Sequence, residues 1–266
     1  MKQPTYDIIG KIAIVKFDKL HKKNYKKKWA DNFLKINPHL ATILEKTDKI
    51  KGRLRIAKTK FIAGENTRET IYIEHGCRFR FNVDETYFSP RLSNDRKIVA
   101  EEILRKITNT KKNVLALFAG VAPYPIVLGK KIKEAGKNAL IVSNELNRKA
   151  SKYAEENVRM NKLENYVKIL QGDAKNIEDK LKEKKLPLKY DFILMLRPNL
   201  KDTFLKSARK FAGKGTIIYY HGFGTQEKVL EEIKKDAGSK IGKINMRKAG
   251  EIAPFKYRWG VTFAVK

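Results

Sequence analysis

The chain has 266 residues, 42% of them hydrophobic, which is enough to bury an extended core and excludes global disorder. Its 59 lysines and arginines stand against 29 acidic residues, a formal charge of +30 that argues for a polyanionic partner and against a small neutral ligand as the sole one. Thermophilic enrichment would raise Lys and Glu together, which this composition does not do.

The first ninety residues read as a small α+β module. Ile8–Phe17 is β-rich and broken at Gly10. His21–Trp29, HKKNYKKKW, is a basic cluster opening a helix predicted to run to about Glu45. Lys22, Lys23, Lys26, Lys27 and Lys28 are its candidate phosphate contacts. Tyr25 and Trp29 within it suit either base stacking or the buried side of the helix. Three strand-like segments follow, Arg53–Ile62, Thr70–Ile73 and Arg78–Val83. The last, RFRFNV, alternates with period two.

From Asp95 onward the texture becomes strand–helix alternation. Asn113–Phe118, Ala139–Val142, Val167–Leu170, Phe192–Leu196 and Thr216–Tyr220 are apolar runs of the kind buried on both faces of a parallel sheet. Helical patterns cover Arg96–Lys106, Pro123–Ala135, Asn147–Met160, Leu200–Phe211 and Gln226–Lys235, and Arg258–Val265 ends the chain as a strand. The fold class is therefore α/β, with domains over 1–90 and 91–266.

The ends of successive strands carry the candidate ligand site. Phe118-Ala119-Gly120-Val121-Ala122 is a small-residue turn that lets backbone approach a ligand, though a tight strand–helix connection explains it equally well. Glu145 lies 25 residues beyond Gly120, at the tip of the second strand, where a ribose diol is gripped. Asp173 ends the third strand in Gly172-Asp173-Ala174, placed to accept from an adenine amino group. With neither G-x-G-x-x-G nor a Walker lysine, a ligand without pyrophosphate fits better than a dinucleotide.

Phe88-Ser89-Pro90-Arg91-Leu92 with Asp95-Arg96, LFAGVAPYPI (Leu117–Ile126), Glu145-Leu146-Asn147, KYAEENVRMNKL (Lys152–Leu163) and IIYYH (Ile217–His221) together resemble the archaeal and eukaryotic tRNA (guanine-37 N1)-methyltransferases, from about residue 7 to the end. The resemblance implies a Rossmann-like class I methyltransferase domain using S-adenosyl-L-methionine. It implies cofactor contacts from Phe118, Gly120, Glu145, Leu146, Asp173, Ala174 and Pro198, with Arg96 near the methionine end. It implies that Asp95 removes the guanine N1 proton, that Arg55 stabilises charge on O6, and that Arg91 meets the RNA. Helix capping is the alternative role for Asp95.

Three departures bear on this. The family's N-L-P after strand four is Leu196-Arg197-Pro198 here, similar to an archaeal subgroup that also methylates a carbon of the tricyclic wyosine precursor. Asp95 stands where Glu is more usual. The chain begins where the family's middle domain begins, so the domain that checks the tRNA body is expected to be absent, with Lys22–Lys28 replacing part of its affinity. Two rivals remain: the related aminocarboxypropyl transferase, which resembles F-S-P-G-N where this chain has Arg91, and an inactive RNA-binding protein on the same fold.

Cys77 is the single cysteine, and His21, His39, His75 and His221 lack ligand spacing, so no metal is expected. No apolar run approaches the ~20 residues of a membrane span, and the N-terminus lacks the order of a signal peptide. A cytoplasmic monomer acting on tRNA is the expectation.

Overall fold

The structure, a computed structural model, describes residues 3–47, 54, 56, 58–253 and 256–266. The chain divides into two compact units, Met1–Pro90 and Arg91–Lys266.

In the first unit, the early β-rich run forms a hairpin of β1 (Thr5–Ile9) and β2 (Ile12–Lys16). Gly10 turns it with φ +58°, and a Cβ there would lie 2.3 Å from both Ile71 O and Thr70 Oγ1, so only glycine fits. Helix α1 (Lys23–Ile36) follows and buries Ala30 and Phe33. It stops well short of the predicted Glu45. Pro38 disfavours helical geometry at Asn37, whose side chain turns back to donate to Phe33 O at 2.9 Å. Beyond the break, β3 (Thr42–Lys46) buries Thr42, Ile43 and Leu44. It runs parallel to β2, with α1 as the crossover, and antiparallel to β4 (Thr59–Gly64), in the order β1-β2-β3-β4. Of the predicted strand Arg53–Ile62, Thr59–Ile62 falls in β4, whereas residues 53, 55 and 57 lie outside the described residues. A separate hairpin pairs β5 (Glu69–Glu74) with β6 (Cys77–Asn82), where Phe79 and Phe81 are buried and Arg78 and Arg80 exposed.

The second unit begins with α2 (Ser93–Lys106), entered from a 3-10 turn at Pro90–Leu92. Five parallel strands follow: β7 (Lys112–Leu117), β8 (Ala139–Glu145), β9 (Val167–Gln171), β10 (Tyr190–Met195) and β11 (Ala212–Gly224). Val114–Leu117 and Ile193–Met195 have no solvent exposure, as strands covered on both faces should. The connections carry α3 (Pro123–Glu134), α4 (Arg148–Met160), α5 (Glu178–Glu183) and α6 (Leu205–Arg209). After β11 come α7 (Gln226–Asp236) and an antiparallel hairpin, β12 (Asn245–Ala253) with β13 (Lys256–Ala264). The sheet order is β12-β13-β11-β10-β7-β8-β9, with β13 antiparallel to β11. This is a Rossmann-like α/β fold preceded by a small α+β unit.

Helix α6 is much shorter than the predicted Leu200–Phe211. Arg197 is the cause. Its buried guanidinium donates to Leu200 O at 2.9 Å and to Asp202 O at 3.4 Å, carbonyls that a helix would need for itself. Asp202 then accepts from Phe204 N at 2.8 Å, and Phe204 turns left-handed at φ +58° before the helix starts.

Candidate active site

Strand order reverses at β7, which has β8 on one side and β10 on the other, and ligands of open α/β sheets bind beyond the carboxyl ends at such a point. The turn after β7 is built from left-handed residues: Phe118 at φ +60°, Gly120 at +58° and Ala122 at +65°. Gly120 N–H donates to Glu145 Oε2 at 2.8 Å, and Asn147 N–H donates to Oε1 at 2.7 Å. Glu145 is thereby fixed at the tip of β8, each oxygen keeping a lone pair for a ligand hydroxyl. Burial raises its carboxyl above the ordinary value, and the backbone N–H groups of Asn147, Gly120 and Leu146 pull against that rise. Asn144, buried beneath, donates to Leu170 O at 3.0 Å and Gly172 O at 2.9 Å, binding the ends of β8 and β9 together. Leu146 O accepts from Gln171 Nε2 at 3.0 Å. Asp173 and Ala174 follow directly, and Asp173 accepts from Lys175 N at 3.1 Å. Phe118 meets Phe204 edge to face at 4.9 Å, and Pro198 is half-buried on the β10–α6 loop. A glycine turn, two strand-end carboxylates and an aromatic edge suit an adenosine with a free ribose diol.

A second group of side chains gathers on Asp95. It is the third residue of α2, and the helix begins at Ser93 with Leu92 as its cap, so the capping alternative fails. Asp95 is 3% exposed. Its Oδ2 accepts from Tyr124 of α3 in a short hydrogen bond and lies 3.0 Å from His221 Nε2 on β11. Arg247 of β12 places Nη2 2.6 Å from Oδ1. Burial lowers the His221 pKa and keeps the ring neutral, so Nε2–H donates to the carboxylate. Burial, then the Asp95 charge and hydrogen bond, raise Tyr124 well above its usual value, so it remains a donor. Burial alone would raise Asp95, but the hydrogen bond and charge of His221, then the Arg247 charge and the Tyr124 hydrogen bond, overcome it and hold the carboxyl well below the ordinary range. Around neutral pH, where the lowered His221 is uncharged, the Arg247 guanidinium is the full charge beside the anion. A cavity of about 310 Å³ opens here, lined by Asp95, Asn94, Arg91, Arg247, Glu251 and Tyr257 among others.

The sequence-derived candidates divide accordingly. Gly120 and Glu145 are hydrogen-bonded to each other, and Phe118, Leu146, Asp173 and Ala174 stand on the ends of neighbouring strands. Asp95 and Arg91 share the cavity. Arg96 is fully buried, its guanidinium over the Tyr124 ring at 5.7 Å. Arg55 lies outside the described residues. On α1, Lys22, Lys23 and Lys28 are exposed, while Lys26 pairs with Glu45 and Lys27 with Asp31. Trp29 stacks on Phe33 at 4.7 Å and packs, half-buried, against the core, and Tyr25 lies against His21 at 4.4 Å. Sequence reasoning missed Tyr124, His221 and Arg247 as partners of Asp95. Tyr124 and His221 stand inside quoted motifs, but Arg247 carries no sequence signal.

A parallel sheet with a left-handed turn after its first strand and carboxylates at the tips of the next two defines a Rossmann-like methyltransferase. The chain belongs to the TRM5/TYW2 methyltransferase family: the model of the TRM5/TYW2 methyltransferase domain matches residues 70–245, and that of the TYW2 N-terminal domain matches residues 3–67. Trm5b of Pyrococcus abyssi, a tRNA (guanine(37)-N(1))-methyltransferase, is 32% identical over 98% of this chain and 74% of its own. Its crystal structure superposes with a TM-score of 0.77 over 98% of this chain and 75% of that one, at 32% identity. The tRNA (guanine(37)-N(1))/4-demethylwyosine(37)-methyltransferase Taw22 of Nanoarchaeum equitans is 41% identical over 60% of this chain and 49% of its own. At 23% identity, Methanocaldococcus jannaschii TYW2 in complex with AdoMet shares the fold, with a TM-score of 0.66 over 98% of this chain and all of that one (100%).

Proposed function

We propose that this protein transfers a methyl group from S-adenosyl-L-methionine to N1 of guanosine 37 in tRNA, and to a carbon of the tricyclic wyosine precursor at the same position. The observation that carries the reading is Asp95, a buried carboxylate at the edge of a cavity beside Arg91 and held anionic by its neighbours. Neutral guanine carries a proton on N1, and an anionic carboxylate can accept it. S-adenosyl-L-methionine supplies an electrophilic methyl when bound. The roles of this chain's residues are to hold and to deprotonate. Glu145 grips the ribose, Asp173 and Ala174 the adenine edge, and the Phe118–Gly120 turn and Pro198 border the cofactor. Arg96, its guanidinium over the Tyr124 ring, lies toward the methionine end of the cofactor, and Arg55 stabilises charge on O6. Lys22, Lys23, Lys26, Lys27, Lys28 and Arg91 contact the RNA. Neither a metal nor a second subunit is needed for this chemistry, so the unit of function is a monomer.

Leu196, where relatives resembling N-L-P have asparagine, supports the second substrate. It replaces a hydrogen-bonding side chain at the β10 tip by an apolar one, which relaxes polar discrimination among bases there. Parallel assays on two tRNAs, one with guanosine and one with the tricyclic base, test both parts. Methylation of guanosine alone would remove the second. No methylation of either would remove both.

A further inference from the structure

Asp95 uses its two oxygens differently. Oδ2 is engaged by Tyr124 and His221, while Oδ1 has no hydrogen-bonding partner and meets only the guanidinium of Arg247. The route by which Arg247 arrives is built into the sheet. His221 of β11 pairs with Gly260 of β13, and Gly260 pairs with Arg247 of β12. Directly opposed residues point to one face, so these three form a single row across the sheet. Because the middle member has no side chain, those on either side converge over it. A Cβ on Gly260 would lie 3.2 Å from Arg247 Cζ. Immediately after Arg247, the β12–β13 register slips between Lys248 and Gly250, an irregularity of the kind that re-aims neighbouring side chains. Arg247 is 30% exposed and lines the 310 Å³ cavity as well as a neighbouring one of about 530 Å³, so it stands between Asp95 and solvent.

We infer that Arg247, seated over Gly260, is the positioning residue that grips the buried Oδ1 of Asp95 and so aligns the carboxylate toward the target base. The inference rests on the methyl-transfer reading above. The step it serves balances as follows. The guanine N1–H bond breaks and its proton passes to the Asp95 carboxylate. N1 then bonds the methyl carbon as the carbon–sulfur bond breaks, and the electron pair stays on sulfur as a thioether. The groups facing Asp95 are Tyr124 from α3, His221 from β11 and Arg247 from β12, with Arg258 of β13 acting on His221 and Tyr124 and Arg96 of α2 over the Tyr124 ring. Arg247 is the one whose removal exchanges a cation for nothing while leaving both Oδ2 hydrogen bonds in place.

The test compares wild type with Arg247→Gln, Arg247→Lys and Gly260→Ala. Two readouts are needed: the carboxyl titration of Asp95 by carbon NMR in the ligand-free protein, and the pH dependence of single-turnover methyl transfer to guanosine-containing tRNA. In Arg247→Gln, burial is no longer opposed by the cation, so Asp95 should titrate at higher pH. The acid limb of the rate profile should move up with it, and the plateau rate should fall about tenfold because the carboxylate loses its alignment rather than its charge, with cofactor affinity within about twofold of wild type. Arg247→Lys should restore most of the titration shift. Gly260→Ala should move the guanidinium without removing its charge, giving an intermediate shift. It also keeps the test valid if Arg247→Gln does not fold. An Asp95 titration and acid limb unmoved in Arg247→Gln and Gly260→Ala would overturn the inference. A wild type that methylates no guanosine would overturn the functional reading instead, and the carboxyl titration would still decide the Arg247–Asp95 relation.

Discussion

Asp95 and His221 are 126 residues apart in the chain and meet at 3.0 Å, joining the start of the first helix of the methyltransferase unit to its fifth strand. The ring is neutral because burial lowers its pKa, so it donates to the carboxylate without carrying charge. This has a measurable consequence for stability. A histidine held neutral by folding is penalised once the unfolded chain begins to bind a proton, near pH 6.5. Wild-type stability should therefore decline as pH falls below about 6.5, by up to about 1.4 kcal/mol per pH unit for this group. Denaturant titrations of His221→Gln should lack that component. Parallel curves for the two proteins between about pH 6.5 and 5 would refute the neutral assignment.

Asp95→Asn should lower single-turnover methyl transfer to guanosine roughly 10²–10⁴-fold. Here the substitution is not silent for folding, because Arg247 loses its anion. A stability loss of about 1–3 kcal/mol is expected, smaller than for a fully buried pair because Arg247 keeps contact with water. The folded carboxyl is depressed, so its contribution is present above the unfolded value near pH 3.9 and is lost as pH falls below it. The stability gap between wild type and Asp95→Asn should accordingly close below about pH 4. A full transfer rate in the variant would exclude Asp95 as the base.

The cofactor site makes a separate demand. Glu145→Ala removes one carboxylate that orders the Gly120 turn and, by proposal, grips the ribose. Calorimetry should show S-adenosyl-L-methionine binding weakened by about 1.5–3 kcal/mol. Unchanged affinity would move the ribose elsewhere.

These sites were unequally legible in the sequence. Strands β7 to β10 were readable because burial on both faces leaves long apolar runs, and Glu145 because its place at a strand tip follows from that reading. The end of α1 is obscured although Pro38 marks it, because Leu40, Ile43 and Leu44 are spaced like a continuing helix face. The shortened α6 could not be foreseen, because Arg197 takes its carbonyls through tertiary contacts. Short helix α5 and strand β12 leave no clear pattern in the sequence. The β12 register is irregular, so it lacks clean alternation, and Arg247 went unnoticed with it.

Arg197 supplies a stability prediction. It donates to Tyr220 Oη at 2.9 Å and to Leu200 O at 2.9 Å, and it pairs with Glu232 at 3.3 Å while its own side chain is almost wholly buried. Arg197→Ala should cost about 1–3 kcal/mol, chiefly by leaving the loop carbonyls of Leu200 and Asp202 without their donor, since Glu232 keeps the Tyr220 hydroxyl and contact with water. Residues 198–204 should then gain hydrogen-exchange rate before the sheet does. Uniform exchange across the unit would argue against a local lock.

On α1 the lysines are not equivalent. Lys26 and Lys27 already pair with Glu45 and Asp31, Lys27 while exposed, whereas Lys22, Lys23 and Lys28 are exposed without such a pair among the described residues. Replacing Lys22, Lys23 and Lys28 with alanine should weaken tRNA binding. It should also make the salt dependence shallower, by about one unit of slope for each phosphate no longer neutralised. A slope identical to wild type would mean that this helix face only aids solubility.

The most direct measurement is the identity of the product. Wild-type protein, S-adenosyl-L-methionine and a tRNA bearing guanosine at position 37 should be incubated, the tRNA digested, and the modified nucleoside identified by mass spectrometry against 1-methylguanosine. The expected result is 1-methylguanosine at position 37, formed by wild type and strongly reduced with Asp95→Asn. Unmodified guanosine, with the tricyclic tRNA either untouched or carrying an aminocarboxypropyl group, would contradict it.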